Sequence, residues 1–278
     1  MYLTRHRSGD GQRWALDGRR LPDGFTLAGL LAIPRAEIQD FLLAQPLDGG
    51  ATGALLPPVE PDHEVWAAGV TYERSREARE AESSSRDVYA RVYEAERPEL
   101  FFKSPGWRVA GHGMPVRVRA DSRWNVPEPE LTLVVNAHGE IVGFSAGNDV
   151  SSRDIEGDNP LYLPQAKIYD GACALGPGLV LADAGALRDL PVRADVLRAG
   201  QTIFTGETRT SRMKRPLEEL VAYLVRELAF PRGVFLMTGT GVVPPPAFSM
   251  EPGDRIRVTI GPLTLENDVD AGPRNSRR

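Results

Sequence analysis

The sequence predicts an α+β protein that is mostly β. Three observations lead there. Short runs of β-branched and aromatic residues alternate with Gly and Pro turns through 101–150, 172–182, 190–210 and 234–270. One amphipathic helix interrupts them, with Pro216 in its first turn, Glu218 and Glu219 at its positive end and an apolar stripe of Leu217, Leu220, Val221, Leu224, Val225 and Leu228. A densely charged, helix-prone stretch from Tyr72 to about Glu96 precedes them.

In chain order, residues 1–58 read as a small N-terminal domain, with a hairpin at Asp17-Gly18, a helix from Pro34 to Leu43 and a Gly/Pro-rich connection after Gln45. Residues 59–270 read as the main domain. It opens on Val65-Trp66-Ala67-Ala68-Gly69-Val70, a buried-strand pattern. The charged stretch 72–96 reads as a solvated helix laced with ion pairs, with a mobile lid as the competing reading. The final hairpin joins Arg255–Ile260 to Leu263–Asn267 across Gly261-Pro262. Residues 271–278 read as a flexible polar tail.

The chain has 278 residues and a net charge of −5, which excludes a general attraction to nucleic acid or anionic membrane. No apolar run is long enough to span a bilayer, no signal peptide is visible, and the single cysteine, Cys173, excludes an internal disulfide. A cytoplasmic location is expected. Of the 33 basic residues only three are lysine: Lys103, Lys167 and Lys214. A position that needs a compact ammonium, or an amine able to lose a proton, cannot accept guanidinium, so Lys103 and Lys167 stand out.

The chemistry concentrates in Glu128-Pro129-Glu130 and in Asp149. In a strand, residues i and i+2 share a face. Leu131–Val135 and Ile141–Ser145 read as a hairpin. If Asn136 pairs with Ile141 across a four-residue loop, Asp149 falls opposite Glu128, and a slip of one residue would turn it to the other face. Three close carboxylates repel one another, and a cation holds them ionised. All-oxygen donors suit Mg2+, with Mn2+ or Ca2+ able to substitute, and not zinc. The competing reading is a wet, amphipathic hairpin with exposed glutamates.

The run from Asn148 to Lys167, Phe101-Phe102-Lys103-Ser104, Glu128-Pro129-Glu130 and Gly239-Thr240-Gly241 together resemble the fumarylacetoacetate hydrolase superfamily over roughly residues 60–270. The resemblance implies that family's mixed β-sandwich roll and a Mg2+ held by Glu128, Glu130 and Asp149, with Lys167 reaching the site. It also implies a homodimer or homotetramer. Acylpyruvate hydrolases of the superfamily have a Gly-Leu-Asn-Tyr-x-x-His segment whose histidine serves as base. Here it reads Gly69-Val70-Thr71-Tyr72-Glu73-Arg74-Ser75, with serine in place of histidine. None of His6, His63, His112 and His138 replaces it. The run Arg97–Lys103 and the Asn159–Lys167 segment resemble instead the 2-keto-3-deoxy-D-arabinonate dehydratase branch, in which the acid matching Glu99 lines the site.

The resemblance implies a dehydratase of a 2-keto-3-deoxy sugar acid, giving 2,5-dioxopentanoate through a Mg-stabilised enolate. Lys167 and Glu99 are the expected proton-transfer residues. Lys103, Thr240, Arg74 and Ser75 are candidate substrate-binding residues. The partner expected is a small 2-oxo acid, with no nucleic acid and no membrane. A Mg-dependent C–C hydrolase, a Schiff-base lyase using Lys167 and a non-catalytic sugar-acid binder remain the alternatives.

Overall fold

A computed structural model of the chain describes residues 1–9, 11–82 and 86–271. An eleven-stranded sheet forms the centre. From one edge its order is Asp48–Gly50, Arg19–Arg20, Gly11–Leu16, Tyr2–Ser8, Cys173–Leu181, Ile141–Asp149, Pro129–Val135, Val234–Met237, Glu64–Gly69 and Glu99–Pro105, with Ala54–Leu56 paired to Tyr2–Ser8. A second sheet of five strands runs Gln201–Arg209, Pro191–Arg198, Arg255–Ile260, Leu263–Ala271 and Val116–Val118.

Alternation of side chains gives the central strands two apolar faces. Leu131, Leu133 and Val135 pack with Val192, Val258 and Leu220 in the core shared with the five-stranded sheet. Val134, Val142, Phe235 and Met237 pack with Leu27, Leu30, Ile38 and Leu42 of the N-terminal helices Leu27–Leu31 and Arg35–Leu43. Strands covered on both faces read as near-continuous apolar runs, as these do. The segment 1–58 contributes strands to the larger sheet, where Tyr2 pairs with Val180 and Leu3 with Leu179.

Three local differences from the sequence reading have physical causes. The stretch 72–96 holds two helices, Glu73–Glu82 and Arg86–Glu94, and the first is not simply solvated: Ser75, Ala78 and Arg79 form a buried stripe. The later helix ends at Leu224, so Leu228 falls outside it and is exposed. In the hairpin, Val134 pairs with Gly143 but Val135 pairs with Ile141, leaving Val142 as an extra residue. The turn is therefore tighter than a four-residue loop, with Asn136 bonding backbone to backbone with Glu140. The bulge restores the expected register toward the open end, where Glu130 pairs with Gly147 and the Asp149 amide donates to the Glu128 carbonyl at 3.0 Å. Ala271 closes the last strand, and the remainder of the expected tail, 272–278, lies outside the described residues.

Candidate active site

Every residue of Pro129–Val135 and Ile141–Asp149 is buried, which removes the wet-hairpin reading. Glu128, Glu130 and Asp149 are 3%, 1% and 1% exposed, and they offer oxygens that all lie within 4.8 Å of one another. Carboxylates at such depth need compensation. Lys167 Nζ donates to Glu128 Oε2 at 3.0 Å, to Asp149 Oδ2 at 3.0 Å and to Ser151 Oγ at 2.7 Å. Lys103 pairs with Asp149 Oδ1, and its other protons go to the carbonyls of Val150 and Lys167. Arg79 donates to Glu128 Oε1 at 2.8 Å and also pairs with Glu156, while Arg153 lies 3.3 Å from Glu128 Oε1.

The cations are distributed unevenly, and the carboxylates respond differently. Burial would raise Glu128's pKa, but Lys167, Arg79 and Arg153 outweigh it and hold it well below the usual range. Glu130 is pushed well above that range, first by burial and then by Asp149 and Glu128, with only Lys167 and the Gly239 amide at 2.7 Å opposing. Asp149 Oδ1 is buried and accepts no well-directed hydrogen bond, although the Lys103 ammonium lies against it. Hard oxygen donors, one of them under-satisfied and another short of positive charge, fit a divalent cation of the Mg2+ type. Burial lowers Lys167's pKa, but Asp149, Glu128 and Glu156 more than reverse this and keep it an ammonium.

Beside the carboxylates is a small, largely enclosed chamber. Glu128, Lys167, Glu99, Ser75, Arg79 and Thr240 all line it. Glu99 lies directly across the sheet from Gly69. Its carboxylate is folded over that residue so closely that a Cβ there would sit 2.0 Å from Oε2. Burial, then the charge of Glu156, pushes Glu99 up to about 7, a value suited to proton transfer near neutrality. Val70, the next residue on the wall, has φ 52, a left-handed conformation that β-branched residues rarely adopt. Such strain collects at functional sites.

The structure thus brings together Glu128, Glu130, Asp149, Lys167, Glu99, Ser75 and Thr240. It sets Lys103 behind Asp149, engaged with carbonyls and absent from the chamber lining. It sets Arg74 apart. One helical position from Ser75, its side chain turns outward, is 61% exposed, lies 3.6 Å from Glu77 and borders a separate open groove. Sequence reasoning missed Arg79, Arg153 and Glu156. A signal existed for the first: Ser75 and Arg79 are four apart, the spacing that puts two residues on one helix face. Cys173, expected to be a small buried residue, is buried, and burial pushes its thiol up to about 12.

The family profile described as fumarylacetoacetate (FAA) hydrolase C-terminal matches residues 64–270. The chain is 48% identical over 214 residues to a probable 2-keto-3-deoxyxylonate dehydratase of Haloferax volcanii, covering 76% of this chain and 73% of that one. It is 41% identical over 210 residues to the 2-dehydro-3-deoxy-D-arabinonate dehydratase of Saccharolobus solfataricus, covering 73% and 70%. Among solved structures it resembles a 2-keto-3-deoxy-D-arabinonate dehydratase complexed with magnesium and 2,5-dioxopentanoate. That match has a TM-score of 0.81 at 32% identity, over 99% of this chain and 100% of that one.

Proposed function

The chain belongs to the fumarylacetoacetate hydrolase family, and from that premise we propose that it is a metal-dependent hydro-lyase acting on a 2-keto-3-deoxy pentonate, with 2,5-dioxopentanoate as product. One observation carries the choice of reaction. Glu99 and Lys167 face the chamber beside the carboxylate cluster, and no histidine lines it among the described residues. A hydrolase of the family needs a base for water at the position of Ser75, and serine is a poor one. The relatives named for dehydration, and the magnesium complex of one of them, support the same reading.

Glu128, Glu130 and Asp149 would hold Mg2+. When bound there, the cation would chelate the carboxylate and ketone oxygens of a 2-oxo acid and draw electron density from C2, acidifying the C3 protons. Lys167 takes one C3 proton. Asp149 and Glu128 are the charges that favour its ammonium form, and a cation held by those two carboxylates would oppose that effect and favour the free amine. Glu99, half protonated near neutrality, gives its proton to the C4 hydroxyl as the C4–O bond breaks and water departs. The C3–C4 double bond so formed then moves: a proton leaves C5 and one returns to C3, giving the C4–C5 enol, which loses its O5 proton and gains one at C4 to become the aldehyde. One water is lost in all.

The Schiff-base alternative works without a metal, and then Glu128, Asp149 and Ser151 stay on Lys167 Nζ at 2.7–3.0 Å and the two carboxylates keep it an ammonium, which cannot attack a ketone. The decisive experiment is a panel of 2-keto-3-deoxy acids and acylpyruvates assayed with Mg2+, with EDTA and after Mn2+ readdition. We expect dehydration of pentonates that EDTA abolishes and either metal restores. Cleavage of acylpyruvates with no dehydration would replace the lyase by a hydrolase. Borohydride trapping of Lys167 with EDTA-resistant turnover would replace the metal mechanism. The proposal extends to a cytoplasmic homodimer or homotetramer, and to a functional division near residue 58, just before the family match begins at 64. Light scattering of the purified protein tests the oligomer, and a chain beginning at 59 tests the division.

A further inference from the structure

The chamber is nearly enclosed, and an anionic substrate has to reach it. Three of its lining residues, Tyr89, Glu99 and Leu163, also line a second, open depression on the surface. That depression lies between the helix Arg86–Glu94 and the turn Pro160–Tyr162. Its outer walls are Val88, Val92, Arg97, Pro98 and Pro160. We propose that it is the vestibule through which the 2-oxo acid enters and product leaves, with Tyr89 and Leu163 as the throat and the Arg97 guanidinium as the cation that gathers the substrate. The inference uses the proposed reaction only for the substrate's negative charge and small size.

Several features support this assignment. Arg97 is exposed, stacks over the Tyr223 ring at 5.5 Å, and pairs with no carboxylate among the described residues. Of the carboxylates nearby, Glu96 is engaged by the Tyr223 hydroxyl at 3.3 Å and Glu99 is turned inward to the chamber. The chain as a whole carries −5 and repels anions at long range, so a positive mouth matters more here than on a basic protein. Pro98 and Pro160, both on the wall of the mouth, have a fixed φ that limits local backbone adjustment there. Tyr89 is itself buried, so the throat is formed by a packed ring and an aliphatic side chain, which exclude bulk water better than they bind a sugar acid.

A throat and a binding site leave different kinetic signatures. A narrowed throat slows entry and exit together and moves the equilibrium constant little, whereas a lost contact speeds exit. The probe is oxalate, a small dicarboxylate that chelates metal, binding to Mn2+-loaded full-length protein and followed by water-proton relaxation in stopped flow. For Leu163→Trp we expect association and dissociation both slowed at least roughly tenfold, with affinity within about threefold. For Arg97→Glu we expect association slowed about tenfold at low salt, a gap that closes at high salt as screening sets in. The same salt-dependent loss should appear in kcat/KM for the pentonate. Wild-type association rates in both variants, with Mn2+ bound and the fold intact by circular dichroism, would overturn the vestibule. A salt-independent loss in Arg97→Glu would overturn the steering role. A wild type that binds oxalate but dehydrates nothing refutes the reaction alone, and the rates still decide the route.

Discussion

Replacing Gly69 by alanine is expected to separate stability from catalysis. The new Cβ would stand 2.0 Å from Glu99 Oε2 and 2.6 Å from Cδ, whereas ordinary contact begins at 3.4 Å. The carboxylate must retreat by about 1.4 Å, the difference between these distances. The obstructing atoms are the far end of a flexible side chain, so the clash is relieved by swinging Glu99 aside rather than by opening the sheet. Gly69 is not in the left-handed region, and alanine at a compatible position gains about 0.4–1 kcal/mol from a less disordered unfolded chain. Melting temperature should hold or rise slightly. Misplacing a reacting group by about 1 Å can cost on the order of a hundredfold in rate, so kcat should fall by about that much while Mn2+ affinity stays near wild type. The assay is kcat and KM for the 2-keto-3-deoxy pentonate, Mn2+ titration and a thermal melt, repeated in a Glu99→Gln background. There the alanine should add little, because the group it displaces no longer transfers a proton. A Gly69→Ala enzyme with kcat within about threefold of wild type would show that Glu99 does not act at the reacting carbons.

Other outcomes follow from the same charges. Glu128→Gln should abolish turnover and weaken Mg2+ binding. In metal-free protein it should also lower stability by about 3–5 kcal/mol, since Lys167, Arg79 and Arg153 would face a neutral amide; denaturant melts with EDTA read this. Arg79→Met strips Glu128 and Glu156 of a partner, and a loss of similar size is expected, with KM raised as the helix Glu73–Glu82 loosens; an unchanged melt and KM would contradict the bridge. Glu99's pKa is raised in the fold, so its contribution to stability is full below its unfolded pKa and is lost as pH rises through about 7. Glu99→Gln should therefore melt higher relative to wild type at pH 8 than at pH 6. As the acid at C4, Glu99 should make wild-type kcat/KM fall above about pH 7, and a rise there would reverse its role.

The ligand set was legible because it is local. Alternation puts Glu128 and Glu130 on one face, and a register argument over one hairpin reaches Asp149. Lys167 was legible for a different reason: in a chain that otherwise uses arginine, a lysine marks a need for a compact ammonium. The Arg79 bridge was hidden because 49 residues separate it from Glu128, and a helix rich in Arg and Glu carries no mark of which arginine turns inward. The contact between Gly69 and Glu99 was hidden because it depends on two strands 30 residues apart lying side by side, and a glycine does not show what occupies the space it leaves.

The extra residue at Val142 divides the labour along that hairpin. At its closed end, the Ala137 amide bonds the Leu31 carbonyl, Asn136 bonds the Ile33 carbonyl, and Glu140 accepts from the Arg35 amide, so this end is the clasp for the N-terminal helices. At its open end the three carboxylates gather. The bulge acts as a slip joint between the two. Turn residues can be recut to fit a different N-terminal segment, and the phase of Asp149 against Glu128 need not change. Changes at the clasp can therefore accumulate while the chemistry at the other end stays in step, the rest of the N-terminal segment being held separately by the Tyr2–Ser8 strand pairing and by the packing of Leu27, Leu30, Ile38 and Leu42.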